Sequence, residues 1–188
     1  VTGVQTCALP IYDLGYGDVG CFGQQQIRTP NLDRLATQGT RFTDAHAGAT
    51  VCAPSRCTLM TGKNNGHARV RGNAAGGSAQ ALDPGDTTVA DILKRAGYAT
   101  ALVGKWGLGD LGEAAAGLPT RHGFDFFYGY LNQTHAHNSF PTFLIRNEAK
   151  EPVANLVPNE TPAGAGVSSN KAVFSGDLML NEALAWVR

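Results

Sequence analysis

The chain has 188 residues, of which 43% are apolar and 16% charged, and its 15 basic side chains balance its 15 acidic ones. This length is enough for one domain with a hydrophobic core. The neutral balance gives no indication of binding to nucleic acid or to an anionic membrane, and no apolar run approaches the roughly 20 residues of a membrane-spanning helix. The four cysteines form no C-x-x-C pair, so neither a zinc site nor a disulfide scaffold is favoured.

The first predicted element is a helix that begins at Thr29, which suits the N-cap, and Pro30, which suits the first helical position. This helix ends at Gly39. A short strand is predicted at residues 40–43, and the stretch 64–83, rich in glycine, alanine and asparagine, is predicted to be a surface loop.

The second half of the chain alternates predicted helices and strands. A helix begins near residues 86–88 and ends at Gly97. The later elements are a buried strand at 98–103, strands at 124–130 and 142–145, an exposed insertion at 146–170, and a helix at 178–187 capped by Asp177. Such alternation is typical of an α/β domain with a mainly parallel sheet. In these sheets, functional sites form at the carboxyl ends of the strands.

The most informative motif is at residues 52–62, which read C-A-P-S-R-C-T-L-M-T-G. Pro54 suits the first turn of a helix, and Gly62 suits the residue just past its end. Cys52 is therefore predicted at or just before a helix N-terminus, where backbone N–H groups and the helix dipole bind an oxyanion such as sulfate or phosphate. Arg56 lies about one turn further on, within reach of the same anion.

This run resembles the signature of the sulfatase family. In that family the motif cysteine is oxidised after translation to formylglycine, whose hydrated aldehyde attacks the sulfur of a sulfate ester and then expels sulfate. The resemblance implies that Cys52 is the precursor of this nucleophile and that Arg56 holds the diol. It also implies two partners: a substrate, which is a sulfated small molecule or a sulfated carbohydrate, and a formylglycine-generating enzyme or an equivalent maturase. An incidental buried cysteine is the alternative, since free cysteine is usually a small core residue.

Residues 104–109 read G-K-W-G-L-G and resemble the family's G-K-W-H-L-G. By this resemblance Lys105 contacts a sulfate oxygen, and a fixed cation there stabilises developing negative charge. Gly107 stands where the family has histidine. One proton donor or anion contact is therefore absent or supplied from elsewhere.

Residues 12–18 read Y-D-L-G-Y-G-D and resemble the family's D-D-x-G-Y-G-D, in which aspartates bind a divalent metal, usually Ca²⁺. The resemblance makes Asp13 a metal ligand, with Tyr12 in place of a second one. Because a hard cation takes six or more oxygen ligands, we expect the site to be incomplete and calcium not to bind tightly. Asp13, Cys52 and Lys105 each follow a predicted strand, directly or through a short loop, and are expected to meet at one sheet edge.

The N-terminal residues 1–11 resemble the translation of a common sequencing-adapter oligonucleotide. We therefore expect residues 1–12 to be an artefact, and residues 13–188 to be the N-terminal part of a sulfatase catalytic domain, truncated at both ends. A genuine but divergent strand is the alternative, although Pro10 argues against a central strand. An isolated product of this length is expected to aggregate or to be partly disordered.

Residues 129–138 read G-Y-L-N-Q-T-H-A-H-N and also resemble a bacterial sulfatase segment. His135 and His137 are two residues apart, which places them on the same side of an extended chain. We predict a substrate-binding role for His135 and, less directly, for His137. A hydrogen-bonded loop histidine is the alternative, and a weak metal pair would also fit this spacing.

The resemblance as a whole implies an alkaline-phosphatase-like α/β/α sandwich and a sulfuric ester hydrolase, similar to bacterial arylsulfatase-A-type enzymes. Its substrate would be a sulfated small molecule or a sulfated carbohydrate, and its location periplasmic or secreted. Two alternatives stay open. One is a phosphodiester or phosphonate ester hydrolase on the same scaffold, and the other is a fragment that keeps the fold without the chemistry.

Overall fold

A computed structural model describes residues 14–73 and 81–188. The chain divides into two compact units, Val1–Ala47 and Gly48–Arg188. Asp13 and the adapter-like residues 1–12 lie outside the described residues. The predictions made for them are therefore not tested by the structure.

Among residues 14–47, the first unit contains one α-helix, α1 (Pro30–Gln38), and two short 3₁₀ helices at Tyr16–Asp18 and Gly20–Phe22. The predicted helix is thus confirmed. The strand predicted at residues 40–43 is wrong, because this stretch has no regular structure and pairs with no strand among the described residues.

The carboxylate of Asp33 ties the start of α1 to the preceding loop. Its Oδ1 accepts a hydrogen bond from the backbone N–H of Cys21 at 2.7 Å and another from the Thr29 hydroxyl at 3.0 Å. Thr29 Oγ1 in turn accepts the N–H of Gly20 at 2.8 Å. The Thr29 hydroxyl therefore links the loop at Gly20 to Asp33 in the first turn of α1.

The second unit is built on a four-stranded sheet in the order β1-β2-β3-β4. Its strands are β1 (Ala101–Lys105), β2 (Phe126–Tyr130), β3 (Phe143–Arg146) and β4 (Ala149–Pro152). The first two strands pair in parallel, and β3 pairs antiparallel with both β2 and β4. The α/β class is confirmed. The sheet of the described residues is mixed, with its one parallel pairing next to the motif residues.

The last strand corrects the prediction for residues 146–170. This stretch was expected to be an exposed insertion, but its first part forms β4, hydrogen-bonded to β3 through a short turn at Asn147 and Glu148. The strand carries mostly exposed side chains, so it shows little hydrophobic alternation from which it could have been predicted.

Three helices cover the two faces of the sheet: α2 (Cys52–Thr61), α3 (Val89–Arg95) and α4 (Ser175–Val187). On one face, Phe127 of β2 lies in a cluster with Ala53 and Cys57 of α2 and Ala90 of α3. On the other, Tyr128 and its neighbours are covered by Leu178 and Met179 of α4. Because successive side chains of a strand point to opposite faces, β2 supplies both clusters and the unit is an α/β/α sandwich.

Two local predictions need correction. The described parts of the predicted surface loop, residues 64–73 and 81–83, are irregular, but they do not lie only at the surface, since Ala68, Val70 and Leu82 are buried in the core. The final helix begins at Ser175, with Phe174 at the N-cap, so Asp177 lies in the first turn.

An ion-pair network fastens α4 to the sheet. The guanidinium of Arg146 on β3 binds both carboxylate oxygens of Glu182, at 2.6 and 3.0 Å, and its Nε donates to Glu151 on β4 at 2.6 Å. These hydrogen bonds hold the pKa of Glu182 and of Glu151 below the usual value.

Candidate active site at the carboxyl end of the parallel strands

Cys52 is the first residue of α2, as the motif predicted. Val51 before it is extended, and the three residues that follow it are buried. The Cys52 side chain itself lies at a partly exposed position. The helix ends at Gly62, whose N–H donates to the carbonyl of Thr58 at 2.9 Å. Cys52 is thus held at the positive end of the helix dipole.

The N-terminus of α2 is capped by Asn73, a residue that is distant from it in the sequence. The backbone N–H of Ala53 donates to Oδ1 of Asn73 at 2.9 Å. A side-chain oxygen that accepts from the first turn of a helix satisfies one of its otherwise unpaired donors. The sequence did not indicate this role, because Asn73 lies 20 residues away in a loop without a pattern of its own.

Arg56 joins α2 to the end of β1. Its Nη1 donates to the backbone carbonyl of Lys105, at 2.5 Å. Lys105 is the last residue of β1 and is paired in register with Tyr130 of β2. Arg56, one turn after Cys52 on α2, therefore contacts the carboxyl end of the parallel strands at Lys105. One part of the prediction is wrong: the strand predicted at residues 40–43, from which a short loop was to lead to Cys52, does not form.

A residue that the sequence did not single out lies at the same edge. Gln133 follows β2 and is 9% exposed, and neither its Nε2 nor its Oε1 has a hydrogen-bond partner among residues 14–73 and 81–188. Its carboxamide fills the space on the side-chain-free face of Gly107. A buried polar group that lacks a partner is uncommon and marks a candidate for ligand binding.

His135 and His137 do not face the same way. They lie in a 3₁₀ helix, His135–His137, rather than in an extended segment, and His135 is buried while His137 is exposed. The His135 ring packs between Tyr130 and Phe143, with ring centroids 4.8 and 4.3 Å away. Burial lowers its pKa to about 4, so the ring is neutral at pH 7.

The surroundings of His135 include a small cavity. It has a volume of about 140 Å³ and is lined by His135, Asp110, Asn132 and Lys150 among others. Asn132 donates to Asp110 at 2.8 Å, and its own Oδ1 accepts the backbone N–H of His135 at 2.7 Å. The Nε2 atom of His135 has no hydrogen-bond partner in the described part of the chain.

The described residues do not form a metal site. Within 14–73 and 81–188, no group of three or more histidine, cysteine, aspartate or glutamate side chains is placed to hold an ion. Asp13, the ligand predicted from the sequence, lies outside these ranges. In the same ranges, no helix is both long and apolar enough to cross a membrane.

Comparison with known protein families identifies the family to which this chain belongs. The model of the sulfatase family matches residues 12–185. The chain belongs to the sulfatase family. Within the family, it is 43% identical to human arylsulfatase D, in a match covering 62% of this chain and 21% of that protein. It is 45% identical to mouse steryl-sulfatase, covering 62% of this chain and 20% of that protein. The chain therefore spans about a fifth of the length of these curated relatives.

Solved structures confirm the fold predicted from the resemblance. A Bacteroides thetaiotaomicron protein from a locus for the metabolism of multiple glycosaminoglycans superposes with a TM-score of 0.71 at 26% identity, covering 93% of this sulfatase chain and 46% of that chain. Ps i-CgsB in complex with k-i-k-neocarrahexaose gives a TM-score of 0.68 at 26% identity, covering 93% and 39%. The curated relatives named above are mammalian, so the expected bacterial subtype stays a prediction.

Proposed function

We propose that the complete gene product carrying this sulfatase chain hydrolyses a sulfate monoester and that Cys52 is the precursor of its nucleophile. The observation that carries the proposal is the placement of Cys52 at the first position of α2, one turn from Arg56, which is bonded to the end of β1 at Lys105. The family membership of residues 12–185 supports the same reaction.

Each residue has a physical task in this proposal. Formylglycine at position 52 would supply the hydroxyl that attacks sulfur and a second one that releases sulfate. The amide dipoles of α2, and the guanidinium of Arg56 one turn later, would stabilise negative charge there. Lys105 brings a second cation at the strand end, where it offsets the charge on the sulfate oxygens. The overall reaction converts R–O–SO₃⁻ and water to R–OH, sulfate and a proton.

The metal that the family implies enters no step of this proposal. The described residues supply no cluster of ligands, and Asp13 is the one residue of this chain for which a ligand role is proposed. The roles of Arg56, Lys105 and the helix dipole follow from position and charge alone.

The substrate class we propose is a sulfated small molecule or a sulfated carbohydrate. Two similar proteins support this range of substrates: mouse steryl-sulfatase is named for a sterol, and the Bacteroides protein comes from a locus for glycosaminoglycan metabolism. A formylglycine-generating enzyme, or an equivalent maturase, is the proposed partner that acts on Cys52. A periplasmic or secreted location, and a substrate contact through His135 or His137, remain parts of this proposal.

The test uses the complete gene product, expressed with a maturase. Mass spectrometry of the Cys52 peptide is expected to show an aldehyde in place of the thiol, and 4-nitrophenyl sulfate is expected to be hydrolysed. Cys52→Ala should lower the rate by at least about a thousandfold, because it removes the nucleophile. Cys21→Ala is the matched control, since Cys21 is also a free, partly exposed cysteine.

Two results would contradict the proposal. One is a protein that carries the aldehyde and leaves every tested sulfate ester intact. The other is faster hydrolysis of bis(4-nitrophenyl) phosphate than of 4-nitrophenyl sulfate, which would favour a phosphodiester hydrolase on the same scaffold.

A further inference from the structure

Gly107 leaves a space that another side chain fills. Its φ is +78°, and a Cβ atom built on it would lie 2.6 Å from Nε2 of Gln133 and 3.3 Å from Cδ of Arg56. These distances place the Gln133 carboxamide and the stem of Arg56 on the same open face of Gly107. The volume that a side chain at position 107 would need is therefore occupied by the amide of Gln133.

Backbone hydrogen bonds hold the segments that follow β1 and β2 close together. The N–H of Trp106 donates to the carbonyl of Tyr130 and the N–H of Gly107 to the carbonyl of Leu131, both at 2.8 Å. Gln133 comes two residues after Leu131, so its backbone is kept near Gly107 by these bonds.

The carboxamide is both buried and unpaired. Gln133 is 9% exposed, and its two amide atoms are closed off from solvent without a hydrogen-bond partner in residues 14–73 and 81–188. Burying such a group without a partner opposes folding. In native proteins, a group of this kind calls for an explanation such as a ligand that completes it.

We propose that Gln133 is a substrate-contacting residue whose Nε2 donates a hydrogen bond to an oxygen of the sulfate group. This inference rests on the proposed function. It assigns to Gln133 the anion contact that is missing at Gly107. Because a carboxamide does not titrate, it supplies a hydrogen bond and no proton to the leaving group. Arg56 Cδ lies on the same side of Gly107, so the amide is next to the cation that is proposed to bind the anion.

The experiment compares Gln133→Leu and Gln133→Glu in the complete gene product. Binding of radiolabelled inorganic sulfate is measured by equilibrium dialysis, and KM and kcat are measured with 4-nitrophenyl sulfate. Gln133→Leu keeps similar volume and loses the donor, so sulfate affinity should fall roughly ten- to hundredfold, as expected for a hydrogen bond to a charged group. Gln133→Glu should lower sulfate affinity further, because it places a negative charge next to the anion.

The melting temperature distinguishes a substrate-contacting role for Gln133 from a role in which its side chain only fills space in the core. Gln133→Leu removes a buried unpaired amide, so its melting temperature should equal or exceed that of the unsubstituted protein while its sulfate affinity falls. Gln38→Leu makes the same change at the exposed end of α1 and should alter neither quantity.

Sulfate binding by Gln133→Leu that is as tight as in the unsubstituted protein would overturn the inference, as would an unsubstituted protein that binds no sulfate. If sulfate binds in a manner that depends on Gln133 and no sulfate ester is hydrolysed, the proposed function fails and the anion contact stands.

Discussion

His135 shows how one buried ring limits the chemistry available to the site. It is 1% exposed and packed between Tyr130 and Phe143, and burial lowers its pKa to about 4 against the opposing effects of Glu160 and Asp110. An uncharged imidazole cannot attract sulfate as a cation at pH 7. Its Nε2, which has no hydrogen-bond partner among the described residues, can offer substrate a hydrogen bond but no positive charge.

The pKa of His135 predicts a dependence of stability on pH. Between pH 6.5, the ordinary value, and pH 4, the unfolded chain binds a proton at this position and the folded chain does not. Stability therefore falls as the pH falls through this window, by about 3 kcal/mol for this residue. His135→Phe keeps a ring between Tyr130 and Phe143 and should remove this loss.

The measurement is the free energy of unfolding of both proteins in urea from pH 7 to pH 4. The exposed His137, changed to Phe, is the control and should leave the difference between pH 7 and pH 4 unaltered. If the free energy of unfolding changes equally with pH in the unsubstituted protein and in His135→Phe, His135 is protonated in the folded state over this range.

The residues predicted from sequence and those missed differ in a physical way. Cys52, Arg56 and Lys105 belong to short runs in which residue type and spacing specify a helix start and a strand end. In the structure Cys52 begins α2, and Arg56 is hydrogen-bonded to Lys105. Asn73 and Gln133 act across long separations in the sequence. Their roles depend on contacts made in the folded chain, such as the one between Gln133 and the side-chain-free face of Gly107, which a single sequence does not display.

At the scale of elements, the start of α2 depends on a residue outside the helix. Asn73 accepts the N–H of Ala53, one position after Cys52. Pro54 has no N–H, so the number of donors in this first turn is already reduced. The cap by Asn73 therefore fixes the backbone on which the proposed nucleophile is carried.

Substitution of this cap should weaken the second unit measurably. Asn73→Ala removes the acceptor, and we expect the free energy of unfolding to fall by about 1 kcal/mol. Asn73→Asp keeps an oxygen at the same place and adds a favourable charge at the helix N-terminus, so its stability should be maintained. Urea unfolding of the two variants distinguishes them, and an equal loss for both would show that Asn73 stabilises the chain in some other way.

Helices were predicted better than strands, because a strand forms only where a partner strand is available to pair with it. The helix at Cys52–Thr61 has a start signal, and a glycine follows its last residue; both lie within the sequence of the element. The stretch 40–43 has the composition of a strand and no partner among the described residues. The strand Ala149–Pro152 is the reverse case, since it lacks an apolar face and is formed by its hydrogen bonds to β3.

At the scale of the molecule, the α/β/α sandwich buries only part of its helical surface. Leu178 and Met179 of α4 pack against the sheet, but Leu180, Leu184 and Val187 of the same helix are 57%, 47% and 51% exposed. Exposed apolar residues that cluster on one helix favour association with other surfaces. The chain described here, studied alone, should therefore not stay monomeric.

Sedimentation velocity of the 188-residue chain is expected to show association that increases with concentration. Leu180→Glu combined with Leu184→Lys replaces two exposed apolar side chains by an i,i+4 ion pair and should shift the distribution towards monomer. Asn181→Glu combined with Ala185→Lys places the same pair on neighbouring exposed positions of α4 and keeps the leucines, so it should still associate. A monomeric unsubstituted chain, or equal association of both double variants, would show that the leucine face of α4 does not drive self-association.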